Sequence, residues 1–542
     1  MSDIVIRQRA FAARAAELKR HMLALKRRAR DAHEPALLAI VGANADTEFG
    51  RRHDFAKLRS IRDYQHAVPL RRYEDFAPLC ERMTRGERGV LAAEPPVIFR
   101  RTSGTTGAAK YIPVTERSLQ IDRENLAIAR AGGAERFPDV LDGPDTVLIA
   151  TLGSARPSAT TTPSGIPWLS YAEHSQAGCA LHDGTPGTNA RFYAADRPLE
   201  FADAMYSRLR YAIEVDLRGI VTVNPSSVLA LAGRLAEAWD QITDEVAAGT
   251  VLGAPKRPPD PRRADELRAL AREGRRRPRD AWPNLAYVHS WKSAACALYL
   301  PEVAELFAPR ALLPWPYIAS EGITAVHLDD HPTAGYLLPH GALFEFLDDA
   351  GAVHLLHELA PGATYELVHT AWNGFYRYCI GDRFRVDSLD DDGVPRLEFA
   401  GRAGVYSSFT GEKLTEHHVA AAVAACGVAI SHATCIPRWG SPPGYVFVVE
   451  LAAEAGSVDA AALARELDAQ LAAHNDEYPS KRSSGRLAPA AVELVSRGTF
   501  ARLRERLIAR GTSPESLKLL VLQRDDALLA PLLELSDRRR GE

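Results

Sequence analysis

Apolar residues recur at helical spacing near the start of the chain. Five of them share one face of a predicted helix: Phe11, Ala15, Leu18, Met22 and Leu25. Arg and Lys occupy the opposite face, which is the pattern of a basic amphipathic helix. Such a helix can lie on a membrane surface, but we expect it to dock its apolar face on the body of the protein.

Further along, short apolar runs alternate with segments of helical period. Residues 146–152 (TVLIATL) have the length and composition of a buried strand. Residues 219–235 predict a strand, a polar turn that can cap a helix, and then a helix. This alternation of strands and helices indicates an α/β architecture.

The pattern changes in the second half of the chain. Residues 341–399 form short alternating segments joined by the turns DDAG and DDDG, which predicts a β-rich subdomain. Beyond 401–402, helices are predicted at 415–425 and 458–474, and strands at 445–451 and 492–496. A single core stops growing near ~250–300 residues, so 542 residues indicate at least two domains. We place them at 1–405 and 406–542.

Composition narrows the function. The chain carries 66 Lys and Arg against 69 Asp and Glu, a net charge of −3, so nucleic acid is not an expected partner. The Arg-rich stretch 253–280 is expected to be a solvated surface. Six cysteines without a CxxC pair suggest reduced thiols. The N-terminus lacks the apolar core of a secretion signal, and no apolar run is long enough to span a membrane, so we expect a cytoplasmic protein.

The segment 99–115 (FRRTSGTTGAAKYIPVT) carries the sharpest chemical signal. It holds seven candidate phosphate-binding residues: Thr102, Ser103, Gly104, Thr105, Thr106, Gly107 and Lys110. Glycines let backbone N–H groups approach a ligand, hydroxyls add neutral donors and the lysine adds positive charge. This combination suits a polyphosphate, although its G-x-x-G-x-x-K spacing differs from that of a Walker A loop.

Three more motifs follow in order, at 317–322 (YIASEG), 376–382 (YRYCIGD) and 401–402 (GR). Together with the loop they resemble the motifs of the adenylate-forming superfamily, which includes acyl-CoA synthetases, peptide-synthetase adenylation domains and luciferases. The resemblance implies that ATP is bound by Tyr317, Ala319 and Ser320, with adenine beside the tyrosine and the α-phosphate on the serine.

The same resemblance implies that Glu321 ligates Mg²⁺, for which carboxylate oxygens are natural ligands. It implies that Asp382 binds the ribose hydroxyls and that Arg402 reaches the ribose or a phosphate.

A narrower resemblance covers nearly the whole chain. It rests on segments that include 49–76 (FGRRHDF…VPLRRYEDF), 282–303 (WPNLAYVHSWKSAACALYLPEV), 365–382 (YELVHTAWNGFYRYCIGD) and 411–416 (GEKLTE). These resemble the acyl-acid amido synthetases, the family of plant auxin- and jasmonate-conjugating enzymes and their bacterial relatives. The resemblance implies a large N-terminal adenylate-forming domain, with α/β layers and a β-barrel-like subdomain, and a small mobile α+β C-terminal domain.

The segment 511–518 (GTSPESLK) resembles the family's C-terminal segment whose lysine enters the active site. Lys518 therefore joins Lys110 and Glu321 as a candidate catalytic residue. The implied enzyme is an ATP-dependent ligase that converts a small carboxylic acid to an acyl-AMP, releases pyrophosphate and transfers the acyl group to an amine, usually that of an amino acid. High Arg and Ala usage favours a bacterial source and specialised metabolism.

Other readings stay open. An acyl-CoA ligase or a stand-alone adenylation enzyme that loads a carrier protein would use the same motifs, and a non-catalytic binder of ATP or acid is a third possibility. Trp168, Tyr287, Trp291 and the loop 154–166 are expected to line the acyl pocket. Four histidines are expected to be structural and hydrogen-bonded: His289, His327, His340 and His369. The sequence does not identify the acid, the amine, the general base or the choice between monomer and homodimer.

Overall fold

The computed structural model describes residues 3–101, 110–143, 146–150, 161–169, 199, 201–402, 406, 407, 409, 412, 414–440, 442–475, 478–483, 487–510, 519–523 and 525–537. The chain divides into two compact units. The first unit comprises Met1–Lys292, Leu300–Ile380 and Arg385–Glu398. The second comprises Ser293–Tyr299, Gly381–Phe384 and Phe399–Glu542.

The first unit is built from helices and short strands. Its α-helices are α1 Asp3–Lys26, α2 Ala29–Ala43, α3 Glu48–Arg52, α4 Ile61–Ala67, α5 Tyr73–Thr84, α6 Glu116–Arg136, α7 Phe201–Ala212, α8 Pro225–Ala248, α9 Pro261–Arg272, α10 Pro278–Ala281 and α11 Leu300–Phe307. Its first strands are β1 Ile98–Arg101, β2 Tyr111–Val114, β3 Val147–Ile149, β4 Trp168–Leu169, β5 Gly219–Val221, β6 Thr250–Val251, β7 Ala254–Pro255, β8 Tyr287–Ser290 and β9 Ala311–Pro314. They are followed by β10 Tyr317–Ala319, β11 Gly322–Val326, β12 Tyr336–Leu337, β13 Ala342–Leu347, β14 Val353–Leu355 and β15 Thr364–Ala371. The strands β16 Tyr378–Leu389 and β17 Pro395–Arg402 are divided between the units, because their residues 381–384 and 399–402 belong to the second unit.

A parallel sheet forms the α/β part of this unit. Its strand order is β3-β5-β8-β9, and each neighbouring pair is parallel. Leu148, Ile220 and Val288 on these strands are buried with Trp239 and Trp282 in one apolar core. The predicted strand at 146–152 is therefore present over its described residues, and the strand and helix predicted at 219–235 are β5 and the first half of α8.

A five-stranded sheet of order β14-β13-β15-β16-β17, in which β13 is antiparallel to both β14 and β15, forms the predicted β-rich region. Aspartates begin its two predicted turns. Asp348 accepts hydrogen bonds from the N–H groups of Ala350 and Ala352, and Asp390 accepts them from those of Asp392 and Val394. These local bonds are typical of aspartate in turns, which explains why the turn sequences identified the hairpins correctly.

The N-terminal helix docks as expected. Helix α1 packs along α6, and Ala15 and Met22 on its apolar face are buried. At its end Lys26 forms ion pairs with Asp390 and Asp392 at the turn before β17. Among the described residues, none of the helices is both long and apolar enough to cross a bilayer.

The Arg-rich stretch behaves as a solvated surface. Arg275 pairs with Glu273 and Asp280, and Arg276 pairs with Asp240. These arginine side chains are about half exposed, so such pairs contribute little to stability. Their charges are matched by neighbouring carboxylates, which argues against a dedicated anion site here.

The second unit is a small α+β structure. Its elements are β18 Tyr406–Ser407, β19 Leu414–Thr415, α12 Glu416–Ala425, β20 Ile430–Arg438, β21 Gly444–Leu451, α13 Ala460–His474, α14 Tyr478–Ser483, β22 Ala491–Val495, α15 Thr499–Ala509 and α16 Leu529–Asp537. Strand β21 lies between β20, to which it is antiparallel, and β22, to which it is parallel. Apolar residues of α12 and α13 pack on Phe447 and Val449 to form the core.

Candidate active site

The motif YIASEG forms a β-hairpin. Strands β10 and β11 pair antiparallel, and the turn between them places Ser320 and Glu321 at its tip. Ile318 and Ile323 point into an apolar cluster, which holds the two strands in place. The hairpin therefore presents a carboxylate that is only 9% exposed, and it does so from a short turn.

Helix α6 and strand β1 anchor one side of this hairpin. Asp122 accepts a hydrogen bond from the N–H of Ile323 at 2.8 Å, and Asn125 donates to the carbonyl of the same residue at 2.7 Å. The guanidinium of Arg100 donates to Asp122 at 2.6 Å and to the carbonyl of Ser320 at 3.4 Å. Side chains from two separate elements thus fix the backbone on both sides of Glu321.

The loop before the motif 376–382, and the strand that begins within it, anchor the other side. Asn373 donates to the carbonyl of Glu321 at 3.4 Å. The hydroxyl of Tyr378, at the start of β16, donates to Oε1 of Glu321 at 3.2 Å. Both the backbone and the carboxylate of Glu321 are therefore held by groups that are distant in sequence.

Lys110 belongs to the candidate phosphate-binding segment 99–115 and lies directly before β2. Its ammonium lies 4.9 Å from the ring centre of Tyr73, a cation–π distance. The Tyr73 hydroxyl accepts a hydrogen bond from the N–H of Tyr111 at 2.7 Å. The Tyr73 ring is an edge-on neighbour of Phe375, whose ring lies 4.8 Å from that of Tyr378. One aromatic cluster therefore supports both Lys110 and the tyrosine that holds Glu321.

Arg377, the arginine of the motif 376–382, is a structural residue. It is 6% exposed and adopts a left-handed backbone conformation with φ of 47°. Its guanidinium donates to Glu345 at 3.0 Å and to the carbonyls of Gln65 and Val68. Its own N–H donates to Thr370. These bonds join β13, β15 and the segment after α4.

A cleft with about 370 Å³ of empty space, including its mouth, lies beside the hairpin and is lined by residues of α6, β11, β13 and β15. Burial lowers the pKa of His369 in this cleft to about 4, so its imidazole is neutral at pH 7. Its Nδ1 has no hydrogen-bond partner among the described residues. His340 does have a partner, Glu124, at 2.7 Å, and His327 contacts the carbonyl of Ala334.

The structure describes only part of the candidate site. Tyr317, Ala319, Ser320, Glu321 and Lys110 belong to the first unit. Asp382 lies in β16 and is 2% exposed, and Arg402 ends β17; both belong to the second unit. The remaining candidates lie outside the described residues: Thr102, Ser103, Gly104, Thr105, Thr106, Gly107 and Lys518.

Tyr287 is a core residue in the structure, not a wall of an open pocket. Its ring fills the space above two glycines. A Cβ added at Gly133 or Gly219 would lie 2.4 or 2.5 Å from ring atoms. Trp291 donates to the carbonyl of Pro316 in the same apolar region, whereas Trp168 stacks near Tyr111 in a different cluster. The three aromatics expected in the acyl pocket therefore do not form one group.

The donor set fits Mg²⁺ held jointly with a nucleotide. Among the described residues there is no cluster of three or more His, Cys, Asp or Glu that could form an all-protein metal site. Mg²⁺ at phosphate-transfer sites is usually bound by one or two carboxylates plus the substrate phosphates. Glu321, with one oxygen bonded to Tyr378, provides one such carboxylate.

Comparison with solved structures defines the class of fold. The chain is similar to 2-hydroxyisobutyryl-CoA ligase in complex with R3-HIB-AMP, with a TM-score of 0.53, 13% identity and coverage of 95% of this chain and 90% of that one. It has the fold of an adenylate-forming enzyme, with a large N-terminal and a small C-terminal domain. More particularly, the chain belongs to the GH3 family. The GH3 family N-terminal, central and C-terminal domains match residues 18–312, 335–402 and 415–527.

Individual relatives agree with this assignment. The chain is 26% identical to indole-3-acetic acid-amido synthetase GH3.8 of Oryza sativa subsp. indica, over 93% of this chain and 89% of the relative. It is 22% identical to jasmonoyl--L-amino acid synthetase GH3.5 of Oryza sativa subsp. japonica, over 91% and 92%. The GH3.15 acyl acid amido synthetase in complex with 2,4-DB has a TM-score of 0.82 and 20% identity, with coverage of 98% and 97%. The predicted membership in the acyl-acid amido synthetase family is confirmed.

The sequence analysis missed the groups that hold the hairpin. Asp122 and Asn125 are polar residues three positions apart on one face of α6, and both are buried. Buried polar groups are almost always hydrogen-bonded, but the sequence does not show that these two residues are buried, so it gave no sign of their role. Tyr73 lies in a segment that carried the family resemblance, but nothing in its local pattern indicates that Lys110 packs on its ring.

Proposed function

We propose that this chain adenylates a small carboxylic acid and passes its acyl group to the amine of an amino acid. A carboxylate oxygen attacks the α-phosphorus of ATP, the bond to pyrophosphate breaks, and an acyl-AMP forms. The amine nitrogen then attacks the acyl carbon, AMP leaves, and the nitrogen loses a proton. Two relatives are named as an indole-3-acetic acid-amido synthetase and a jasmonoyl--L-amino acid synthetase. These names support a small carboxylic acid and an amino acid as the substrates.

The observation that carries the proposal is the anchored turn at Glu321. The Glu321 carboxylate is nearly buried and accepts a hydrogen bond from Tyr378. The backbone carbonyls of Ser320 and Glu321 accept hydrogen bonds from Arg100 and Asn373 respectively. We assign Glu321 as the protein ligand of Mg²⁺, which would neutralise charge on the phosphates when bound. Such a preorganised group needs little rearrangement as charge develops during the reaction.

The remaining roles follow from the motifs. Lys110 and residues 102–107 are assigned to the phosphates, and Tyr317, Ala319 and Ser320 to adenine and the α-phosphate. Asp382 and Arg402 are assigned to the ribose. Residues 1–405 would bind ATP and acid, and residues 406–542 would act as a mobile lid that carries Lys518 to the site. If Lys518→Ala left the rate of adenylation unchanged, the role of this lysine would be refuted.

A substrate panel tests the overall reaction. Purified enzyme is given ATP, Mg²⁺ and a set of carboxylic acids that includes indole-3-acetic and jasmonic acids, with and without a mixture of amino acids. Pyrophosphate release is followed and products are identified by mass spectrometry. We expect pyrophosphate release and a new amide. Pyrophosphate release that yields a product only with coenzyme A or a carrier protein would refute the amide reaction in favour of those alternatives.

Two carboxylate variants test the site. Glu321→Gln removes the charge assigned to Mg²⁺ and should reduce adenylation by about 100- to 1000-fold, the effect typical of one well-placed charge-stabilising group. Glu135→Gln is the matched control, because this carboxylate also lies in α6, pairs with Lys19 and does not line the cleft beside the hairpin. It should retain adenylation close to that of the parent enzyme. Equal losses in the two variants would contradict the assignment of Glu321.

The setting of the enzyme is also a proposal. The described cysteines are free and mostly buried, which supports a reducing, cytoplasmic location. Cell fractionation tests the location, and sedimentation analysis distinguishes the monomer from the homodimer. A bacterial source and a role in specialised metabolism follow only from composition.

A further inference from the structure

Tyr378 contacts the carboxylate that the proposed function assigns to Mg²⁺. The residue is 1% exposed, and its hydroxyl donates to Oε1 of Glu321 at 3.2 Å. Its ring is held by Phe375 at 4.8 Å and by Phe76 at 5.9 Å between ring centres. The phenol is therefore held by packing and cannot easily move away from Glu321.

We infer that Tyr378 is a positioning residue that orients the Glu321 carboxylate for Mg²⁺ bound with the nucleotide. The inference rests on the proposed function, because it requires Glu321 to be the metal ligand. A carboxylate can accept about four hydrogen bonds or metal contacts, so the Glu321 carboxylate can bind the Tyr378 hydroxyl and a cation at the same time. Because a neutral phenol donates without adding charge, it orients the carboxylate and leaves its negative charge for the cation.

Groups that hydrogen-bond to a metal ligand affect the metal in a measurable way. Removing such a partner typically weakens metal affinity or activity by about 10- to 100-fold, because the ligand loses its fixed orientation. The backbone of the turn is held separately, by Arg100 and Asn373. Loss of the Tyr378 hydroxyl should therefore free the carboxylate without unfolding the turn.

Tyr376 provides a matched control two residues away. It is also fully buried, its hydroxyl donates to the carbonyl of Leu91 at 2.7 Å, and its ring stacks on Phe49. Tyr376→Phe and Tyr378→Phe each remove one buried hydroxyl that donates to a protein oxygen. Only the second change affects a group at the proposed metal site.

The test measures nucleotide binding as a function of Mg²⁺, so it does not depend on knowing the acid. The affinity of the full-length protein for α,β-methylene ATP is determined by calorimetry over a series of Mg²⁺ concentrations. In the parent protein, affinity should rise as Mg²⁺ is added. In Y378F the midpoint of that rise should move to about tenfold higher Mg²⁺, while Y376F follows the parent curve. Thermal unfolding of both variants checks that they lose similar stability.

Two more proteins separate failure of the inference from failure of the proposed function. E321Q should lose the Mg²⁺-dependent rise, and the double variant Y378F/E321Q should match E321Q, because Tyr378 acts through Glu321. If E321Q loses the rise but Y378F keeps the parent midpoint, the inference is wrong and the metal role of Glu321 stands. If E321Q keeps the parent curve, the metal role is wrong and the inference falls with it. Equal shifts in Y378F and Y376F would overturn the inference alone.

Discussion

The buried ion pair between Arg377 and Glu345 allows a quantitative test of whether Arg377, in the motif 376–382, stabilises the fold. Both side chains are more than 90% buried, and the guanidinium lies 3.0 Å from the carboxylate. Gln65 donates to the other carboxylate oxygen at 2.9 Å. Removing one partner of such a pair leaves a buried charge that has lost its counter-charge, which typically costs ~3–5 kcal/mol. We therefore expect Glu345→Leu and Arg377→Met each to lower the free energy of unfolding by about that amount.

Urea denaturation measures the effect. Six of the seven tryptophans lie in the first unit, so tryptophan fluorescence reports mainly on the unfolding of that unit. Arg268→Met is the control, because Arg268 forms exposed pairs with Asp244 and Asp265. Such surface pairs contribute ~0–1 kcal/mol each, so the control should stay close to the parent protein.

The double variant E345L/R377M gives the decisive comparison. It removes both charges, so its loss of stability should be clearly smaller than the sum of the two single losses. Arg377 would instead be a nucleotide ligand if R377M kept parental stability and raised the KM for ATP. That result would refute the conclusion that the arginine of this motif is structural.

Three further outcomes follow from the structure. The pKa of His369 is about 4 in the folded protein, against an ordinary value of 6.5 in the unfolded chain. The contribution of this neutral histidine to the free energy of unfolding is therefore complete above pH 6.5 and falls by up to ~3 kcal/mol as the pH drops toward 4. His369→Phe should remove this part of the acid sensitivity, which urea denaturation at pH 7 and pH 5 measures. Gly219→Ala should lower the free energy of unfolding by ~1–3 kcal/mol, because the added methyl group overpacks against Tyr287. Gly233→Ala has open space around it in α8 and should be neutral or stabilising by up to ~1 kcal/mol. Thermal unfolding measures both variants. Lys110→Met should slow adenylation by about 100- to 1000-fold in pyrophosphate-release assays with little change in thermal stability, and an unchanged rate would contradict its phosphate role.

Local signals predicted many of the secondary-structure elements. The helices predicted at 415–425 and 458–474 are Glu416–Ala425 and Ala460–His474, because Thr415 and Asp459 cap them as their residue types suggest. Strand Ile430–Arg438 was missed. Its sequence ISHATCIPR mixes polar and apolar residues without strict alternation, and its bulge near His432 breaks the period further. Pairing with β21, which no local pattern shows, stabilises it.

The residues of the candidate site could be predicted less completely than the secondary-structure elements. The motifs indicated Glu321 and Lys110 as candidates, because residue type and spacing carry that information. They did not identify Asp122, Asn125 or Tyr73, which reach the site only after α5 and α6 pack on the strands. The expected placement of Tyr287 in an acyl pocket failed for a related reason. An aromatic residue gives no local sign of whether its ring fills a core or lines a pocket.

Three consecutive residues of the motif 376–382 show why motif membership alone does not assign a role. Tyr376 bonds the carbonyl of Leu91, Arg377 bonds Glu345, and Tyr378 bonds the carboxylate at the hairpin tip. Arg377 has a left-handed backbone, so the chain does not follow simple strand alternation here, and each side chain meets a different part of the first unit. A loss of activity after mutation would look alike at all three positions. Stability identifies the role of Arg377, and the Mg²⁺ dependence of nucleotide binding identifies that of Tyr378. The motif combines a residue that stabilises the fold, Arg377, with one that we place at the candidate site, Tyr378. Contact of a motif residue with ATP therefore has to be shown by binding measurements.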